Sequence, residues 1–449
     1  MDRKKNLRGA FLVVFITTVI SIIIFLTNVR TPRIFNLIPQ PHGPVKLDLP
    51  EVSDQTITPL INTKHLLVSA FMDQRVTGFD IRIIGIFRRD SIQSLYCIFL
   101  CHSSPFFISN TTPTNIQQAD HYDFPFTATF VMCQIPQNCD ATHVALLTQP
   151  DNVKDLNQTW LPIRNKVATK KEDDFEFDFT VCVSNLFGGY NNVLQFAQTL
   201  EMYRLLGVGR VVIYNTSCGP ELNRLLHSYS QEGFVEMVPW PIDKHLKPAW
   251  GWNILEHPGD VHYFGQVTTL NECMYRSMRR SRYVLLNDID EIIMPYQHDN
   301  LTTLMDTLQP QHPNTGVFFI ENHIFPKKHF EPSQRFHLPQ WSGVPGINIL
   351  EHVYREEPDR TAYQPYKLIV QPRMVEETSI HEMRKNFGER FKVPPEVCRI
   401  IHVRVPLQGS LTLEQLKVDK RLWDFHERMI PNVDNVLRKV GLLSSDQQK

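Results

Sequence analysis

Between Phe175 and Glu291, apolar strands and amphipathic helices take turns, and few folds accommodate that order. In "FEFDFTVCVS", Phe175, Phe177, Phe179, Val181 and Val183 share one face of a strand. Gly188-Gly189 breaks the run. Val193, Phe196, Ala197, Leu200 and Tyr203 then keep helical spacing up to a stop at Gly207. "RVVIYN" is a buried strand, and "GPELNRLLHSY" is a helix with Pro220 near its first turn. "FVEMVPW" is a third strand, "QVTTLNECMYRSMRR" a further amphipathic helix and "YVLLNDIDE" another strand. The alternation predicts an α/β domain whose mostly parallel sheet is covered by helices on both faces.

In such a sheet, ligands bind outside the carboxyl ends of the strands. The stretch "RYVLLNDIDEIIMP", from Arg282 to Pro295, places Asp288, Asp290 and Glu291 at such an end. On extended backbone Asp288 and Asp290 project together, and Ile289 points into the fold. Two adjacent carboxylates repel unless a cation is near, and a hard divalent ion such as Mn2+ or Mg2+ suits them. Two side chains leave coordination positions open, which a nucleotide diphosphate could fill. Asp-x-Asp also arises by chance about once per 100 positions, and a solvated loop accounts for acids equally well. The apolar runs on both sides favour the metal. No Gly-x-Gly-x-x-Gly, P-loop, Gly-x-Ser-x-Gly or His-Glu-x-x-His motif occurs.

The 449 residues suffice for two or three domains, and 42% hydrophobic with 21% charged residues is ordinary for a folded chain. A formal net charge of −1 argues against a broad grip on nucleic acid, so no such partner is expected. Residues 1–8, with Arg3, Lys4, Lys5 and Arg8, read as a cytosolic tail before an uncharged run at 9–29. That run is long enough to cross a bilayer as a signal anchor. A cleaved signal peptide is the alternative, but no small-x-small site follows Leu26. Residues 30–63 are rich in proline and read as a stem. Residues 64–165 hold "FDIRIIGIFRR", "SLYCIFLC", "FPFTATFVMC" and "THVALLT", a small β-rich module. The α/β domain follows at 175–430 and a C-terminal tail at 431–449, and the stretch from Leu413 to Leu443 reads as mainly helical with a break at Pro431. Asn110, Asn157, Asn215 and Asn300 open glycosylation tripeptides. Eight cysteines in an oxidising lumen predict disulfides, with pairing not readable from spacing.

Three stretches, "LEMYRLLGVGRVVIYN", "QVTTLNECMYRSMRRSRYVLLNDIDEIIMP" and "KLIVQPRMVEETSIHEM", together resemble glycosyltransferase family 92, over roughly Phe175 to Arg404. Its best-known animal members are β-1,4-galactosyltransferases acting on fucose of N-glycan cores. The resemblance implies a GT-A-like fold, a UDP-galactose donor, and a glycan or glycoprotein acceptor. It also implies single-pass type II placement in the Golgi membrane, with the catalytic domain lumenal. Asp288 and Asp290 would be the metal motif for Mn2+ or Mg2+. His381, after the "KLIVQP" strand, is the first choice to complete that site, and His402, after "CRII", is the second. Val183, Ser184 and Asn185 would lie near the nucleotide base. The sequence departs from the family at His402-Val403-Arg404, where His-Tyr-Arg is expected.

On that footing the chemistry is metal-dependent transfer of galactose with inversion. The base that accepts the proton of the acceptor hydroxyl must lie across the sugar from the diphosphate, which excludes Asp288 and Asp290. Glu321 and Glu351 are the candidates, although a surface carboxylate is the stronger reading of each. Lys367 suits either a phosphate or solvent. Trp240, Trp250 and Trp252 offer flat faces for sugar rings, or for a core. The rival functions are a transferase using another UDP-sugar, a hydrolase using the same acids, and a lumenal glycan-binding protein without turnover.

Overall fold

The computed structural model describes residues 55–91, 93–102, 107–108, 114–117, 122–149, 160–166, 174–363 and 366–443. The tail at 1–8, the anchor at 9–29, most of the stem, Asn110 and Asn157 lie outside these residues. Among the described residues no helix is long and apolar enough to cross a membrane.

The α/β half starts with β1 (Phe177–Leu186), α1 (Val193–Leu205), β2 (Arg210–Asn215), α2 (Pro220–Gln231) and β3 (Val235–Pro239). It continues with α3 (Gln266–Ser277), β4 (Ser281–Asn287), β5 (Glu291–Pro295), α4 (Leu301–Gln311) and β6 (Thr315–Pro326). Strands β7 (Tyr366–Val370), β8 (Glu389–Lys392) and β9 (Cys398–Arg404) and helix α5 (His426–Lys439) complete it. Pro220 stands at the start of α2, where a missing N–H removes no helical bond. Behind it Leu222, Leu225, Leu226 and Tyr229 form the buried stripe that periodicity predicts.

The sheet runs β3-β2-β1-β4-β7-β6-β9-β5, with β8 also paired to β6. β3, β2, β1 and β4 are parallel. β7 is antiparallel to β4 and β6, and β5 is antiparallel to β9, whereas β6 and β9 are parallel. The sheet is therefore mixed, which corrects the mostly parallel sheet expected from the alternation. A strand's hydrophobic period is the same in either direction. β7 enters from a long loop and has no helical crossover before it to reveal its sense.

One face of the sheet packs Phe196, Leu200, Leu225, Phe318, Met429 and Val433 into a core with α1, α2 and α5. The break expected at Pro431 does not occur. Met429, Val433, Val436 and Leu437 are buried along α5, and their burial outweighs the roughly 3 kcal/mol that an interior proline costs. On the other face, Leu270, Met274 and Tyr275 of α3 share a core with Phe71, Ile84, Ile86 and Phe130.

Those last four belong to a nine-stranded sheet built before the α/β half. Its strands include Leu66–Met72, Ile81–Arg88, Tyr96–Cys101, Phe126–Cys133 and Ala141–Leu147. Thr58–Pro59, within the stretch read as stem, pairs with Leu66 and Leu67. Disulfides join Cys97 to Cys133 and Cys101 to Cys139 inside this sheet, and Cys182 on β1 to Cys273 on α3. Cys218 and Cys398 are free thiols. Arg82, fully buried, bonds Asp73 at 2.9 Å and Glu376 at 3.1 Å, tying the N-terminal sheet to the α/β half. The described residues fall within one compact unit.

Candidate active site

The carboxyl ends of β1 and β4 open into a cavity of about 1050 Å³. Val183, Ser184 and Asn185 line it from β1, and Asp288, Asp290 and Glu291 line it from the turn after β4. His381 and His402 line it as well.

Residues 288–290 form a turn rather than the extended backbone that the Asp-x-Asp spacing suggested. The Glu291 N–H donates to the Asp288 carbonyl at 3.3 Å, and the Asp288 N–H donates to Glu291 Oε2 at 2.8 Å. The register of β5 on β9 sets Glu291 opposite His402. His402 is wedged between two acids, with Nε2 3.1 Å from Asp290 Oδ2 and Nδ1 3.3 Å from Glu291 Oε1. The neighbouring strand β7 delivers Lys367, whose Nζ lies 2.9 Å from Asp288 Oδ2 and 3.6 Å from Glu291 Oε2. Gln266, the first residue of α3, donates to Asp288 Oδ1 at 3.2 Å and to Ser184 Oγ at 3.0 Å.

Burial alone would raise the Asp288 carboxyl, but Lys367, with His381 and His402, holds it below its ordinary value. Burial likewise opposes the Asp290 charge, and His402 outweighs it. At Glu291 burial prevails over Lys367, the Asp288 charge adds to it, and the carboxyl is raised. Lys367 is held above its ordinary value against burial by Asp288 and Glu291. His402 is also raised against burial, by Asp290 and then Glu291. His381 is lowered to about 4 by burial and then by Lys367, although its ring reaches solvent through the cavity. Its Nδ1 donates to the Tyr366 carbonyl at 3.1 Å, which leaves a neutral Nε2 lone pair.

Two ionised carboxylates and a neutral imidazole on one cavity fit the donor chemistry of a hard divalent cation. Among the described residues no three such side chains already stand at coordinating separation. Lys367 and His402 engage the carboxylate oxygens instead.

The two candidate bases are elsewhere. Glu321 accepts from Arg360 at 2.6 and 2.7 Å and lies 3.0 Å from His323 Nε2, outside the lining. Burial opposes its charge, but His323 and Arg360 hold it at about 2. Glu351 faces His337 at 2.8 Å, also outside the lining. The one lining carboxylate beyond the acid turn, among the described residues, is Asp359. Its Oδ1 accepts from the Thr361 N–H at 2.9 Å and hydroxyl at 2.6 Å, and these bonds lower its pKa. Nothing in the sequence marked Asp359, because its placement depends on the loop that Arg360 anchors to β6. Sequence gives Lys367 no partner, because Asp288 lies 79 positions away.

Trp240 is core, its Nε1–H donating to the Phe264 carbonyl at 2.7 Å. Trp250 and Trp252 are 59% and 61% exposed, and Trp252 lines the cavity. Asn215 is half-buried at the end of β2. Asn300 caps α4, with Oδ1 accepting from the Thr303 N–H at 2.9 Å.

Residues 177–440 match the model of glycosyltransferase family 92. A glycosyltransferase family 92 protein of Caenorhabditis elegans is 25% identical over 228 residues, covering 50% of this chain and 41% of that protein. The β-1,4-galactosyltransferase galt-1 of the same organism is 22% identical over 274 residues, covering 58% of this chain and 56% of that protein. The chain thus spans about half the length of the curated relatives it matches. Among solved structures, the mannosyltransferase PcManGT of Pyrobaculum calidifontis, in complex with GDP-Man and Mn2+, is similar at 10% identity and a TM-score of 0.26. That match covers 62% of this chain and 80% of the other, a likeness too distant to carry site detail across. The family model spans more than half of the sequence and contains the acid turn and both histidines, and the chain belongs to glycosyltransferase family 92.

Proposed function

We propose that this transferase moves galactose from UDP-galactose to a glycan acceptor, fucose of an N-glycan core, with inversion at the anomeric carbon. The observation that carries the reading is the gathering of Asp288, Asp290, His381 and His402 on a cavity that also reaches the end of β1. A sheet with parallel strands on both sides of β1 seats nucleotides at that end. The choice of galactose is supported by the likeness to galt-1, a β-1,4-galactosyltransferase.

Asp288, Asp290 and His381 would hold Mn2+ or Mg2+. When bound, such an ion supplies Lewis-acid stabilisation of the charge on departing UDP. Lys367 keeps Asp288 ionised, and His402 does the same for Asp290. The acceptor hydroxyl oxygen bonds to the anomeric carbon as the bond from that carbon to UDP breaks. Asp359, ionised and away from the acid turn, takes the hydroxyl proton. Lys327, Arg404 and Gln408 line the cavity together with Asp359 and offer hydrogen bonds to sugar hydroxyls. We place the enzyme in the Golgi membrane with its catalytic part lumenal. The apolar run at 9–29 behind four cations and the three disulfides support that placement.

The test is incubation of the full chain with Mn2+ and a panel of UDP-sugars, with and without a fucosylated acceptor. Transfer from UDP-galactose to that acceptor is the expected result. Transfer from a different UDP-sugar overturns the donor, acceptor-independent sugar release marks a hydrolase, and binding without turnover marks a lumenal binding protein.

A further inference from the structure

The segment matched by the family model starts at residue 177, yet the cavity has a wall from outside it. Tyr122, just ahead of the strand Phe126–Cys133 in the N-terminal sheet, lines the cavity. Its ring stacks on His262 with centroids 4.2 Å apart and planes 17° from parallel. The loop is fastened to the α/β half, for the Phe126 N–H donates to the Asp260 carbonyl at 2.9 Å. Tyr122 and Asp123 have φ of 47° and 61°, and Tyr263 and Phe264, beside His262, have φ of 36° and 54°. Four non-glycine residues in the left-handed region are held there by their surroundings, a form of strain that gathers at ligand sites. Part of the restraint comes from the site itself. Asn185, at the end of β1, donates to the carbonyls of Tyr263 and Phe264 at 2.9 and 3.0 Å. Tyr263 in turn lies 5.2 Å from the His262 ring and 6.2 Å from Phe187, so Tyr122, Tyr263 and Phe187 make an aromatic end to the cavity, and Trp252 lines the cavity as well.

We propose that this aromatic end seats the planar base of the donor nucleotide, and that the N-terminal sheet supplies one of its walls through Tyr122. The inference rests on the transferase reading above. The acid turn follows β4, and β1, β2 and β3 lie on one side of β4 in the sheet. Phe187 follows β1, and Trp252 and Tyr263 lie between β3 and α3. A diphosphate at the acids therefore carries its nucleoside toward the aromatic end. Around Asp359 and Arg404 the lining mixes Lys327 and Gln408, which suit sugar hydroxyls, with Ala362, Tyr363 and Leu407, whereas the end to which the strand order leads the nucleoside offers the Tyr122, Phe187 and Tyr263 rings, on which a flat base gains from stacking.

The experiment titrates full-length wild type, Tyr122→Ala and Tyr122→Phe with UDP and, separately, with inorganic pyrophosphate, both with Mn2+ present. Tyr122→Ala is expected to weaken UDP about tenfold and to leave pyrophosphate affinity unchanged, and Tyr122→Phe to bind UDP like wild type. In turnover, Tyr122→Ala raises the donor KM, with kcat and the acceptor KM within about twofold of wild type. Trp252→Ala, at an exposed position, is expected to show the same split with an unchanged melting temperature. It keeps the test decisive should Tyr122→Ala fold poorly. Wild-type UDP affinity in both alanine variants, an equal loss of UDP and pyrophosphate, or a rise in acceptor KM alone overturns the inference and leaves the transferase reading standing. Failure of the wild-type protein to bind UDP overturns that reading itself.

Discussion

Asp73→Asn tests the junction between the N-terminal sheet and the α/β half. Asp73 is buried between two arginines, with Arg75 Nε 2.7 Å from Oδ1 and Arg82 Nε 2.9 Å from Oδ2. Arg82 reaches on to Glu376 in the α/β half at 3.1 Å. Burial would raise the Asp73 carboxyl, but Arg75 and Arg82 outweigh it and hold the pKa at about 2 against an ordinary 3.8. That difference corresponds to about 2.5 kcal/mol of stability. Asparagine keeps the shape and removes the charge, which leaves Arg82 under-compensated in the interior. The expected total loss at neutral pH is about 3–5 kcal/mol. A depressed native pKa contributes stability that is complete above the unfolded value and is lost as pH falls through the native one. The gap between wild type and variant should therefore be flat above about pH 5 and shrink between about pH 4 and pH 2. Urea unfolding followed by tryptophan fluorescence, with disulfides intact, measures it at each pH. A loss below about 1 kcal/mol at pH 7, the scale of an exposed pair, would refute the reasoning. So would a loss that does not shrink on acidification.

Asp290→Ala should lower transfer at least about a hundredfold and abolish the rise in melting temperature that Mn2+ gives the wild type. A folded variant with wild-type turnover, or turnover indifferent to chelation, removes the cation from the mechanism. Asp359→Asn should cut kcat by about 10²–10⁴-fold while UDP affinity holds. An unchanged kcat would return the role of base to Glu321 or Glu351. Gly188 has φ +65°, and a Cβ there would stand 2.6 Å from the Trp250 ring. Gly188→Ala should cost about 1–2 kcal/mol from the backbone alone, seen as a lower melting temperature, and an unchanged melt would show that residue 188 does not hold the left-handed conformation.

The parts of the site readable from sequence are those carried by local pattern. Alternation along "FEFDFTVCVS" and the apolar run "RYVLLN" mark β1 and β4, and strand ends are where acids can meet a ligand, which singles out Asp288 and Asp290; Val183–Asn185 follow only from the family resemblance. What surrounds those residues was not readable. Lys367 reaches Asp288 only because β7 inserts antiparallel beside β4, and His402 reaches Asp290 and Glu291 only through the register of β5 on β9. The disulfides cross between Cys97–Cys133 and Cys101–Cys139, a choice that spacing left open.

The amino-acid order alone set which segments become strands and helices and which strand end carries the acids, because backbone period and solvent preference act over a few residues. Tertiary structure alone decided strand direction, the charges that keep Asp288 and Asp290 ionised, and the entry of Tyr122 into the cavity. Each of these joins groups far apart in the chain, and their free energy depends on burial that exists only once both sheets have packed.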